Sequence, residues 1–139
     1  MNIGSGDAVD GAPGSGIPLV DPLVLADLAD KLESPDIACR FAADYVALWE
    51  ARRSRLAAAL VRNDFPAAVD AVISLRVASV MVGAERLAWL AQQVEDAINS
   101  ANFAAGRELM DAVGVCGTAT LDVLVLPRNP ELALCSRHL

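Results

Sequence analysis

Between residues 19 and 126 the apolar positions recur every three or four residues, the spacing that gathers them on one side of an α-helix. Leu25, Leu28 and Leu32 make a first, short stripe. Asp21 opens it as an N-cap, and Pro22 occupies the first turn, where its fixed φ and missing N–H suit a helix start. Ser34, Pro35 and Asp36 repeat this punctuation before a longer stripe of Ile37, Phe41, Tyr45, Leu48, Leu56 and Leu60. Asn63 and Asp64 interrupt the pattern and recap the chain for a helix over about 65–82, with Val69, Val72, Leu75, Ala78, Ser79 and Val82 turned inward. Gly83 stops it. The following helix runs from 84 to about 99, with Leu87, Leu90, Val94 and Ile98 inward and Glu85, Gln92 and Asp96 outward. Ser100 or Asn102 caps a last segment over about 102–126.

That last segment carries the weakest local signal. Gly106, Gly114 and Gly117 disfavour a helix, and the β-branched residues among 118–126 suit a strand equally well. It is assigned as helix because a lone strand would have nothing to pair with. Pro127 and Pro130 end the pattern. Short connections make consecutive long helices antiparallel, so the expected fold is all-α: an up-and-down antiparallel four-helix bundle with a short additional N-terminal helix. Residues 1–18, dominated by Gly, Ser, Asp and Pro, are expected to form a disordered N-terminal tail, 19–126 one domain, and 127–139 a C-terminal tail.

Composition narrows the function. A formal net charge of −7 opposes a nucleic-acid partner, which would be held by clustered Lys and Arg. The one basic cluster, Arg52-Arg53-Ser54-Arg55, has Asp44 and Glu50 at helical distance and reads as a solvated face. Cys39, Cys116 and Cys135 lack metal-ligand spacing and are odd in number, so they are expected to be free thiols in a reducing cytoplasm. No apolar run approaches the roughly 18 residues of a membrane span, and the N-terminus lacks a secretory pattern. The expected protein is cytoplasmic, with no membrane partner, no metal and no cofactor.

The helix over 65–82 is unusual on its other side. Ile73, Arg76, Val77 and Val80 stand at spacings of three, four and seven, with Met81 beside them, where an ordinary surface helix carries charge. Trp89 stands on the outward side of the next helix. A greasy outward row with Trp and Arg is the composition of a docking surface. It could equally be sealed by a second copy of the chain or by the chain's own N-terminal helix.

The segment Ile73-Ser74-Leu75-Arg76-Val77-Ala78-Ser79, closed by Val82-Gly83-Ala84, resembles the central helix of histidine-containing phosphotransfer domains of bacterial phosphorelays. That helix reads His-Thr-Leu-Lys-Gly-Ser-Ala and ends in Leu-Gly-Ala. Arg62-Asn63-Asp64-Phe65 is similar to the turn before it, and Glu85-Arg86-Leu87 with Val94-Glu95-Asp96-Ala97 to the helix after it. The resemblance spans about Val20 to Val125. It places Ile73 at the phosphoacceptor histidine, Arg76 at the lysine and Val77 at the glycine, and it implies that partners dock over the outward faces of these two helices.

Phosphotransfer needs an exposed imidazole, a cation and small neighbours for in-line approach. Only the cation, Arg76, remains: Ile73 has no nucleophilic atom and Val77 narrows the approach. Ser74 and Ser79 would need an activating base, and the nearest, Asp70, reads as a surface neighbour. His138, the only histidine, is terminal. The expectation is a non-catalytic interaction module, with no catalytic residues, that binds a response-regulator receiver or histidine kinase domain through Ile73, Arg76, Val77, Val80, Met81 and Trp89. The alternatives are a homodimeric structural bundle and an active intermediate with a non-standard acceptor.

Overall fold

Five helices follow one another in a computed structural model that describes residues 13–31, 33 and 35–125. They are α1 (Pro22–Lys31), α2 (Pro35–Arg62), α3 (Phe65–Met81), α4 (Glu85–Asn99) and α5 (Phe103–Val125), and no strand occurs among the described residues. Expectations for residues 1–12, Leu32, Ser34 and 126–139 lie outside the described residues. No helix among the described residues is long and apolar enough to cross a membrane.

The turns form as the local chemistry requires. Asp64 caps α3 from an extended backbone, its Oδ1 accepting from Ala67 N at 3.2 Å, with Pro66 in the first turn. Asn63, the break after α2, takes a φ of +55°, which asparagine tolerates better than most residues. Gly83 closes α3 at φ +78°: its N–H reaches Val80 O at 3.1 Å and that of Ala84 reaches Ser79 O at 2.8 Å, a Schellman closure. A Cβ at 83 would also meet the Asp21 carbonyl oxygen at 2.5 Å, while Asp21 N donates to Gly83 O at 2.8 Å. The start of α1 is thereby tied to the α3–α4 turn.

Among the four long helices, α2 packs on α3 and α5, and α4 packs on the same two; α1 lies on α2. Leu56, Leu60, Val72, Leu75, Leu87, Leu90, Val94, Ile98, Val113 and Leu124 are fully buried between them. The glycines of α5 serve this packing. Gly117 leaves the notch filled by the Trp49 indole, and Gly106 lies under Leu60, where a Cβ would stand 3.1 Å from a methyl. The threonines that suited a strand are accommodated within the helix, Thr118 Oγ1 donating to Gly114 O at 3.1 Å and Thr120 Oγ1 to Cys116 O at 2.7 Å.

Several facing assignments differ from those expected. Ile37 and Leu48 are 41% and 45% exposed; Tyr45, Leu56 and Leu60 are buried as expected, and α2 adds Ala38, Ala42, Trp49 and Ala59 to the core. Alanines carry little hydropathy, so a stripe drawn through Ile37, Phe41 and Leu48 passes over Ala38, Ala42 and Trp49, whereas close helix approach selects the side where small residues flank Trp49. On α3, Ala68 and Ala71 are buried while Val69 and Ala78 are only half-buried at the edge of the core. Gln92, expected outward, is half-buried. Cys116 is a free buried thiol, but Cys39 is buried and disulfide-bonded, which corrects the expectation of free thiols there. Spacing along the chain carries no information on such proximity.

Candidate docking surface

On the outward side of α3, Ile73, Val77, Val80 and Met81 are 36%, 44%, 56% and 37% exposed. The helix is apolar on this side as well as on its buried side, where Ala68, Ala71, Val72, Leu75 and Ser79 make the core contacts. Between this row and α2 runs a groove of about 480 Å³. Ile73, Ser74, Val77 and Met81 form one wall and Phe41, Asp44, Leu48 and Arg52 the other, with Tyr45, Ala78 and Val82 also in its lining. Asp44 and Arg52 are its charged groups.

The six residues singled out in the sequence divide into three places. Ile73, Val77 and Met81 line the groove, while Val80 lies outside its lining. Arg76 turns the other way, to α4, where its Nε donates to Glu95 Oε1 at 2.8 Å with both side chains largely covered. Trp89 is 37% exposed and lies against Gly14 of the leader, away from the groove lining. Phe41 and Leu48 belong to the stripe expected inward, and Asp44 and Arg52 carry no apolar signal, so the sequence pattern does not single these four out as a groove wall. The series Ala38, Ala42, Tyr45, Trp49, Leu56 and Leu60, at steps of four, three, four, seven and four, was the available signal for the buried side.

Chemically the groove is quiet. Ile73 sits at its edge with no nucleophilic atom. Ser79 is fully buried and shares a 2.7 Å hydrogen bond with Tyr45 Oη. Burial pushes the Tyr45 hydroxyl up to about 12, with the Ser79 hydrogen bond acting in the opposite direction, so the ring remains neutral. Asp70 pairs with Arg55 at 3.7 Å, which engages the one carboxylate considered as a base for Ser74. Burial raises the Cys116 thiol above its ordinary range, against thiolate formation. Among the described residues no three His, Cys, Asp or Glu side chains gather as a metal site.

Comparison with known protein families, with curated proteins and with solved structures returns no match.

Proposed function

We propose that the chain is a degenerate histidine-containing phosphotransfer domain: α2 to α5 form an up-and-down antiparallel four-helix bundle, α1 is the additional N-terminal helix, and the protein acts by occupancy. It docks a receiver or histidine kinase domain without carrying phosphate. The reciprocal packing of α2 and α4 on both α3 and α5 supports the bundle. The observation that carries the docking reading is the exposed row Ile73, Val77, Val80 and Met81 beside an open groove, on the helix whose sequence resembles the phosphoacceptor helix. Ile73 at the acceptor position supports binding without transfer. The Arg76–Glu95 pair neutralises the cation that stands at the position of the family's lysine.

Val77→Asp tests the reading. A charge at this 44%-exposed site leaves the core untouched, so helicity and Tm are retained. Binding to receiver domains, measured by titration calorimetry, falls by about tenfold or more, as expected when a central apolar contact is replaced by a charge. Sedimentation of the wild-type chain separates the rival: a dimer split by the same substitution, with no receiver bound, would replace this proposal with a homodimeric structural bundle.

A further inference from the structure

We propose that residues 13–18 are a strap that gates Trp89. Gly14 lies on the indole at φ +78°, and a Cβ there would stand 3.1 Å from Trp89 Cε3 and 3.2 Å from Arg86 Cγ. Arg86, one turn earlier on α4, anchors the strap: Nε donates to Ile17 O at 2.6 Å, Nη2 to Ser15 O at 3.1 Å, and its backbone N–H to Pro18 O at 3.0 Å. The last of these bonds also satisfies a first-turn donor of α4, which has no side-chain cap.

Within the strap Pro13, Ser15, Gly16 and Pro18 are exposed, and Ile17 is half-buried but lies outside the core cluster. The chain beyond it is fixed, because Leu19 and Val20 pack on the core and Asp21 N bonds Gly83 O at 2.8 Å. A segment held by three hydrogen bonds to one residue, hinged where buried packing begins, opens locally at far less cost than the domain unfolds. Lifting it uncovers the indole face and frees the Arg86 guanidinium, two groups suited to binding hot spots. The closed strap covers one side of the indole and engages the guanidinium.

The test uses the full chain alone. Gly14→Val places a side chain against Trp89 in a backbone conformation valine disfavours, and Arg86→Met removes both side-chain donors while keeping an apolar stem. Trp49, 5% exposed, is a silent background for acrylamide quenching. Each variant should raise the Trp quenching constant by roughly twofold and speed exchange of the residue-86 amide by about tenfold or more, with the Asp21 and Val94 amides unchanged. Wild-type quenching and residue-86 exchange in both variants would overturn the proposal. So would loss of protection at Asp21 and Val94 in step with residue 86, since that is global loosening.

Discussion

Replacing Gly117 by alanine sets two known effects against each other. On an α5 regarded in isolation, Gly→Ala stabilises by about 0.8–1 kcal/mol through helix propensity. In the folded chain the new methyl overlaps the Trp49 indole; even the third-nearest ring atom, Cε2, stands 2.6 Å from it. Trp49 is 5% exposed and has no open side to retreat to, so the upper end of overpacking costs, about 3 kcal/mol, applies. The net is a destabilisation of about 2 kcal/mol, or a fall in Tm of roughly 6–8 °C for a chain of this size. Gly114→Ala on the same helix is the control. Nothing lies within 4 Å of its added Cβ, so only the propensity gain remains and Tm rises by roughly 2–4 °C. Thermal and urea unfolding followed by circular dichroism measure both. Combining Gly117→Ala with Trp49→Phe should cost less than the sum of the single changes, because the smaller ring vacates the notch. A Gly117→Ala protein as stable as wild type would refute the seating of Trp49 against α5, and with it this account of why α5 tolerates its glycines.

The buried polar groups and caps give three further expected outcomes. The Tyr45 hydroxyl, ordinarily near 10 and pushed up to about 12 by burial, keeps its proton in the folded state over a range where the unfolded chain has released it. Its contribution is therefore complete below pH 10 and lost as pH rises to 12, by about 2–3 kcal/mol in all, and Tyr45→Phe should remove that share of the slope in alkaline urea titrations. Tyr45→Phe at neutral pH also costs about 1–2 kcal/mol, because Ser79 is left without its buried partner. Asp64→Ala removes the α3 cap and should lower the urea-derived stability by about 1 kcal/mol, whereas Asp64→Asn should retain most of it.

Some of the candidate surface was legible and some was not. Ile73, Val77, Val80 and Met81 stand out because α3 is apolar on the side away from its core residues Ala68, Ala71, Val72, Leu75 and Ser79, and that excess is visible in residue order alone. Phe41 and Leu48 were expected inward, and only the packing of α2 shows them as groove wall. Arg76 was expected to face outward with the row, yet it reaches Glu95, 19 positions away, and Trp89 is met by Gly14 from the opposite end of the domain. Both partners are remote in sequence, and no local periodicity encodes them.

The residue order by itself determined where the helices begin and end. Asp21-Pro22, Asp64 with Pro66, and Gly83 act through caps, fixed φ values and left-handed turns, all within a few residues of backbone. It also pointed to the all-helical class, through apolar periodicity in the first four helices and the lack of a partner strand for the fifth. Only the tertiary structure decided which side of the Ala-rich α2 is buried, why Gly117 is a glycine, and that Arg86 holds the leader. Those outcomes depend on the shape and donors of a surface brought near by folding, and a helix with several nearly equivalent apolar sides takes its orientation from its neighbours.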